Sequence, residues 1–465
     1  MNEEQWRAER DDRTLRYAGR RLNPDRWIAI TAPLPYVRRY DGQVALLTAA
    51  NLLGRMSPSI ALSFPDAPVH SALAWSNHSL HELILAQMGT ADPHGRFRVR
   101  PAASSDHRMQ FGADGRGPVI HGTGWNAYIG RGPSPLPDAG DGNPTGAALA
   151  AVLAVSQLFV HNFAPPAETI VANTLTWSAG IAPAAPAVPV DHLGDIWVVG
   201  AGSVGTAALY FLALANRPFH SALIDMDIVK RWNLDRSPVF PEADVGRLKV
   251  EAARDFLADA GQTNIRTESC PLHEAQTWSA RVPGSPDILI SAANEQNVRY
   301  HIEAQYPPLQ LYGTTGRNWQ TSLIRHIPLT EACSCCLFPD DAPRAAMACA
   351  SAPAQTAAAE DEQVDAALPF LSFGAGLMTA TEILKAALPG YPFSANSVTL
   401  TTRQVPRFAA SRIPHRPGCI CGQRRQSVHK TMLEGGKYTH LSWDTEGGGA
   451  LETARISAVK TKGIS

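Results

Sequence analysis

No long apolar run is present. The greasiest stretch, Gly146 to Val160, contains Ser156 and Gln157 and falls short of the ~20 residues that cross a bilayer, so it reads as a buried helix. The N-terminus, Met-Asn-Glu-Glu-Gln-Trp-Arg-Ala-Glu-Arg, has none of the apolar core of a secretory signal, and the expectation is a cytoplasmic protein without membrane contact. Net charge is nearly absent: 41 Lys plus Arg stand against 42 Asp plus Glu, which removes any whole-chain case for nucleic-acid binding. Cysteine is scarce. There are seven in 465 residues, and an odd number with four in two tight pairs suits metal ligation in a reducing compartment better than disulfides. A chain this long should form two or three domains whose cores need no staples. Hydrophobic residues at 45% and charged residues at 18% exclude wholesale disorder, while 36 Gly and 36 Pro promise irregular connections.

The clearest boundary is residues 181–190, Ile-Ala-Pro-Ala-Ala-Pro-Ala-Val-Pro-Val, where recurring Pro fixes φ and removes helix donors. Strand and helix then alternate, the pattern of a parallel sheet with crossover helices. Strands are expected at 196–199, 221–224, 265–268, 287–291 and 309–313, and helices at 204–215, 245–260, 296–305 and 373–387. The Ala-rich segment 339–363 is too long and weakly patterned for an ordinary connection and reads as a mobile loop. Residues 423–465 read as a polar tail. In the first 180 residues, 46–56 and 144–159 look helical and 59–63 looks like a strand. The small-residue helix at Gly146 echoes the one at Gly374, suggesting a degenerate copy of the C-terminal half. Two Ala-rich helices alike by composition alone would be the plainer account.

Gly200-Ala201-Gly202-Ser203-Val204-Gly205 follows an apolar strand and opens a helix, so the backbone can turn tightly and present N–H groups to a phosphate. About 20 residues on, Asp225 and Asp227 end the next strand, where ribose hydroxyls of a nucleotide lie. These residues alone predict a Rossmann-type nucleotide site, and an NAD-dependent oxidoreductase is one reading of it. Asn233-Leu234-Asp235-Arg236 and Gly246-Arg247-Leu248-Lys249 then deliver two further cations, which suit a triphosphate better than a pyrophosphate bridge.

This order of motifs resembles the ThiF/MoeB and ubiquitin-activating-enzyme family from about Asp195 to Cys421. The resemblance implies a Rossmann-like, mainly parallel α/β sheet with flanking helices, a ThiF-type adenylation domain over 191–422, and an inactive adenylation-like α/β half over 1–180. It assigns Gly200, Gly202 and Gly205 to the phosphate loop, Asp225 to the ribose, Arg236 and Lys249 to the phosphates, and Asn233 and Asp227 to the same corner. It implies ATP with Mg²⁺ as the reagents and a ubiquitin-like or sulfur-carrier protein ending in Gly as partner, with a conjugating enzyme as a further candidate. No nucleic acid is expected. One position departs: Asn294 stands where the family has a metal-binding Asp, and a neutral amide is a poorer Mg²⁺ ligand than a carboxylate. Glu295, Asp225 or Asp227 could supply that charge; otherwise turnover is slow or the chain is a catalytically silent nucleotide-binding scaffold.

Cys333-Ser334-Cys335-Cys336 and Cys419-Ile420-Cys421 pair a C-x-x-C with a C-x-C that can close tetrahedrally on Zn²⁺. The resemblance makes that metal structural, with Cys333, Cys336, Cys419 and Cys421 as ligands and Cys335 or His415 as substitutes; buried free thiols are the alternative. Cys349 falls in the loop where family members often carry an acyl-accepting cysteine. Its thiolate could take the activated acyl group as a thioester, against the plainer reading of an exposed loop thiol. Cys270 reads as packing. From Ile383 to Leu433 there is no Asp or Glu, a basic stretch that could dock an acidic carrier or bind nucleic acid, with a solvated tail as the plainer reading, and the missing aromatic interleaving argues against single-strand binding. No second glycine loop occurs near the N-terminus, but Leu15-Arg16-Tyr17 and Tyr40-Asp41-Gly42-Gln43 resemble the opening of family members, and that resemblance makes Arg16 or Arg20 the arginine expected to reach into the ATP site of a pseudo-dimeric monomer or a homodimer.

Overall fold

The computed structural model describes residues 1–115, 117–137, 142–163, 168–183, 188, 192–279, 286–293, 298–299, 301–302, 309–316, 318–327, 331–337, 368–388 and 395–419. Two eight-stranded sheets form. The first comprises β1 (Ile28–Thr31), β2 (Ser59–Ser63), β3 (Arg96–Val99), β4 (His107–Phe111), β5 (Pro118–Thr123), β6 (Asn126–Arg131), β7 (Ile170–Asn173) and β8 (Ser178–Ala179). The second comprises β9 (Asp195–Val199), β10 (His220–Ile224), β11 (Ile265–Glu268), β12 (Ile288–Ser291), β13 (Leu309–Gly316), β14 (Gln320–His326), β15 (Ser397–Thr401) and β16 (Arg407–Ser411). Their orders are β3-β2-β1-β4-β5-β6-β7-β8 and β11-β10-β9-β12-β13-β14-β15-β16. In each, five strands run parallel and the last three turn antiparallel. The α/β architecture expected for both halves is therefore present, and the second sheet repeats the first strand for strand.

The likeness extends to single residues. At the turn joining β5 to β6, Trp125 O accepts from both Thr174 N–H (2.8 Å) and its hydroxyl (3.2 Å). At the turn joining β13 to β14, Trp319 O accepts from Thr402 N–H (3.0 Å) and its hydroxyl (3.1 Å). An isolated bridge also recurs before the third strand of each half, Pro68 to Ser79 and Ile228 to Leu248.

Central strands such as Ile-Trp-Val-Val and Ile-Leu-Ile-Ser are apolar at successive positions because both of their faces are covered. The covering helices include α1 (Glu3–Arg10), α2 (Asp12–Ala18), α3 (Leu34–Val37), α4 (Tyr40–Met56), α5 (Leu80–Ala91), α6 (Thr145–Val160), α7 (Ser203–Ala215) and α8 (Lys249–Asp259), followed late in the chain by a helix over Pro369–Ala386. Every residue of α4 and of the Pro369–Ala386 helix is buried. α4 packs on α6 and α7 on the Pro369–Ala386 helix, in equivalent places, and α6 meets the latter helix across the two halves. Phe159 and Phe370 touch there at 5.7 Å between ring centres. The small residues of these helices have a steric reason: a Cβ at Gly376 would lie 2.4 Å from the Ala207 Cβ.

Several expectations need correction. The helix expected from Val245 starts at Lys249, since Gly246 adopts φ +95° and Leu248 is drawn into the bridge with Ile228. The strand at Leu309 runs to Gly316 and returns through an antiparallel partner. Lys385 is no part of a basic surface: it is buried, 2.5 Å from Glu382. Most of 296–305, all of 339–363 and the tail lie outside the described residues. Among those described, no helix is long and apolar enough to cross a membrane.

Candidate functional site

A cavity of about 310 Å³ opens at the C-terminal ends of β9, β10 and β12, the edge where parallel α/β sheets bind ligands. Gly200, Gly202, Asp225, Asp227, Asn233, Arg236 and Lys249 all line it. Gly200 must be glycine, since it adopts φ +95° and a Cβ would come within 2.8 Å of Ala293 N. Gly202 caps α7 with no side-chain hydrogen bond, and the space beyond its Cα is open, so α7 aims its first N–H groups toward the cavity. Gly205 does not line the cavity. It lies beneath the loop, where a Cβ would meet Gly200 O at 2.1 Å, and lets α7 approach the turn.

Asp225 follows β10 and is held by two backbone donors, Ala201 N–H at 2.7 Å and Asp227 N–H at 2.8 Å. Burial pushes its carboxyl above the usual range, and Lys249 and these N–H groups draw it back. Lys249 opens α8, is 8% exposed, and reaches Asp227 at 2.7 Å. Asn233 is engaged in its own turn, accepting from Lys230 N–H at 2.8 Å. Arg236 donates through NH1 to Trp232 O (2.7 Å) and Asp235 Oδ1 (3.1 Å). Among the described residues its Nε and NH2 make no other bond, so they are available to a ligand in the cavity.

The first sheet lacks this chemistry at matching positions. Ala32 follows β1 as Gly200 follows β9, and Phe64 follows β2 as Asp225 follows β10. Leu80, fully buried, opens α5 where Lys249 opens α8.

Sequence reasoning missed Arg13, which lines the cavity from α2 of the other half. Arg16 instead pairs with Asp12 at 3.0 Å, and Arg20 donates to Phe159 O and lies over the Phe159 ring. A helix this short exposes basic residues at 13 and 16 on adjacent faces, and nothing local says which face meets the second half. Cys270 packs against the Trp197–Leu272–Trp278 cluster as expected, but it also lines the cavity beside His273 and His301. Asn294 and Cys349 lie outside the described residues.

Cys333 Sγ is 3.7 Å from Cys336 Sγ and 3.5 Å from Cys419 Sγ. All three lie within 4.8 Å of one another, a thiolate set that fits Zn²⁺. Cys421 lies outside the described residues.

Residues 193–420 match the model of the ThiF family. The adenylyltransferase and sulfurtransferase MOCS3 of Culex quinquefasciatus is 28% identical over 152 residues, 32% of this chain and 34% of that protein. The SAMP-activating enzyme E1 of Haloferax volcanii is 27% identical over 151 residues, 31% of this chain and 53% of its own length. The molybdopterin-synthase adenylyltransferase of Salmonella typhimurium is 44% identical over 63 residues, 14% of this chain and 25% of that one. The chain thus spans between about a quarter and a half of the length of these relatives. Among solved structures, E. coli MccB with AMPCPP and MccA is similar at 17% identity and a TM-score of 0.38, over 49% of this chain and 66% of that one. By its matched span, its ordered motifs and its relatives, the second half of the chain, residues 193–420, belongs to the ThiF family.

Proposed function

We propose that the second half binds ATP in this cavity and adenylates the C-terminal carboxylate of a ubiquitin-like or sulfur-carrier protein ending in glycine. The observation that carries this reading is the convergence of the Gly200 turn, Asp225, Arg236 and Lys249 on one cavity. Asp225 would take the ribose hydroxyls and the α7 N-terminus the phosphates. Arg236, Lys249 and Arg13 would face the triphosphate. A carrier carboxylate oxygen attacks the α-phosphorus, the bond to the bridging oxygen breaks, and pyrophosphate leaves with that charge. The cations stabilise charge that grows in the transition state, where one well-placed donor contributes about 2.7–4 kcal/mol.

Mg²⁺ would supply further charge neutralisation at the phosphates; of the two carboxylates lining the cavity among the described residues, Asp227 is the more exposed and the better placed to help hold it. Zn²⁺ on Cys333, Cys336, Cys419 and Cys421 would be structural. The first half, lacking the glycine turn, the ribose carboxylate and the lysine, acts as the non-binding member of an internal pseudo-dimer. Transfer of the acyl group to Cys349 would follow: its thiolate attacks the acyl carbon of the adenylate, the bond to the phosphate oxygen breaks, and AMP leaves as the thioester forms. Carrier-dependent exchange of labelled pyrophosphate into ATP tests the reading. ATP binding without exchange for any glycine-terminated carrier favours the silent scaffold that Asn294 suggests, and nicotinamide binding in place of ATP favours an oxidoreductase.

A further inference from the structure

The segment that carries Arg236 is gripped by the other half of the molecule. Arg55 of α4 donates NH1 to Leu234 O (2.5 Å) and Phe240 O (3.2 Å), and NH2 to Pro238 O (2.7 Å). Asn51 Nδ2 adds a bond to Pro238 O at 3.2 Å. Thr14 of α2 donates its hydroxyl to Asp235 Oδ2 at 2.9 Å, while Asp235 Oδ1 accepts from Arg236. Asp235 is 1% exposed. Ionising a group so deep costs free energy that only its hydrogen bonds and neighbouring cations offset, here Thr14, Arg236 and Arg10.

We propose that Asp235 is a positioning residue: anchored by Thr14 of the first half, its carboxylate aims the Arg236 guanidinium at the cavity, so that nucleotide handling by the second half depends on the docking of α2. This rests on the reading of the cavity as an ATP site. Two bonds to NH1, from Asp235 and from Trp232 O, fix the guanidinium plane and direct the remaining N–H groups. The groups facing Asp235 are Arg236 from its own segment, Arg10, Asp11 and Thr14 from the α1–α2 corner, and Arg55 from α4. Burial, with Asp11 adding to it, pushes the Asp235 carboxyl up to about 6, against the pull of Arg236, Thr14 and Arg10. The anchor on Arg236 therefore weakens as pH falls through that value.

The test is the affinity of the full chain for ATP and for adenosine, measured by calorimetry in the wild type, Thr14→Val, Asp235→Asn, Arg236→Ala and the Asp235→Asn/Arg236→Ala double variant. Asp235→Asn should weaken ATP about tenfold, as for loss of a charge-assisted hydrogen bond, and leave adenosine, which has no phosphate, within about twofold. Thr14→Val, which removes one hydroxyl and keeps the carboxylate, should weaken ATP in the same direction. In the Arg236→Ala background, Asp235→Asn should do nothing more. The ATP affinity of the wild type should fall between pH 7 and 5 more steeply than that of Asp235→Asn, which keeps every other titrating group of the cavity but lacks this carboxylate. Equal losses for ATP and adenosine, additivity with Arg236→Ala, or unchanged ATP binding in both Thr14→Val and Asp235→Asn overturns the proposal and leaves the nucleotide site standing. A wild type that binds no ATP overturns both.

Discussion

Lys249 Nζ stands 2.7 Å from Asp227 Oδ2 and 4.0 Å from Asp225 Oδ2. The lysine is thus held by the two carboxylates that follow β10, at the mouth of the cavity, and a triphosphate entering there would compete for it. Lys249→Ala should lower carrier-dependent pyrophosphate exchange by about 10²–10³-fold, the usual cost of one such donor. Lys249→Arg should recover little, because a planar fork cannot stand in for a compact ammonium at 8% exposure. Steady-state exchange rates with unchanged circular dichroism check this, and a rate near that of the wild type would show that the triphosphate lies elsewhere.

Arg55 gives a prediction on stability rather than rate. It spans from α4 to the carbonyls of Leu234, Pro238 and Phe240, and burial lowers its guanidinium to about 9. Arg55→Ala strands the Leu234 and Phe240 carbonyls, Pro238 O keeping its bond from Asn51, and about 2–3 kcal/mol of stability should go with them. The urea midpoint of the full chain is the measurement. A shift under a few tenths of a molar unit would mean that water reaches the gap.

Five strands of the second sheet were legible, helped by the fixed order of the Gly200 turn, Asp225, Arg236 and Lys249; β14, β15 and β16, whose polar and apolar residues mix along an antiparallel edge, were not expected. In the first sheet β2 at 59–63 was legible, as were the helices over 46–56 and 144–159, but the other strands were not. The first sheet's β3, Arg-Phe-Arg-Val, alternates polar and apolar over only four residues and lies largely exposed at the sheet edge, too short a run to mark a strand, and Phe64 and Leu80 replace the polar residues that would have marked the copy. Arg13 stayed hidden for a different reason. Its place in the cavity is set by packing between residues more than two hundred positions apart, as the Thr14–Asp235 bond shows, and no local pattern encodes that.

The thiols make a metal prediction. Cys333, Cys336 and Cys419 lie close enough to share one ion, and the purified chain should carry about one Zn²⁺ per molecule, as a closed thiolate site holds one ion. Cys333→Ser should lose it and lower the unfolding temperature, with chelator producing the same drop in the wild type. Atomic absorption together with thermal melts decides it; a metal-free chain that melts where the chelated protein does would remove zinc from the fold.

Two buried carboxylates should impose opposite pH dependences on stability. Glu382 receives Trp177 Nε1–H at 2.9 Å and Lys385 at 2.5 Å, and lies 3.4 Å from Arg325. Although burial works the other way, Lys385 and Arg325 hold its carboxyl below the ordinary value of 4.5. Its contribution is fully present above that value and is lost as pH falls through the lower folded one. Asp235 is the reverse case. Raised from 3.8 to about 6, it binds more protons folded than unfolded across that interval, so stability declines as pH rises from 3.8 through 6. Glu382→Gln should therefore flatten the acid limb of the stability curve below pH 4.5, at a cost in neutral stability from the stranded Lys385. Asp235→Asn should remove the decline between 3.8 and 6 and leave the acid limb in place. Urea midpoints at half-unit pH steps separate the two. If Asp235→Asn kept the wild-type slope across that interval, the carboxylate would be ionised throughout, and the charge on Arg236 would outweigh the effect of burial.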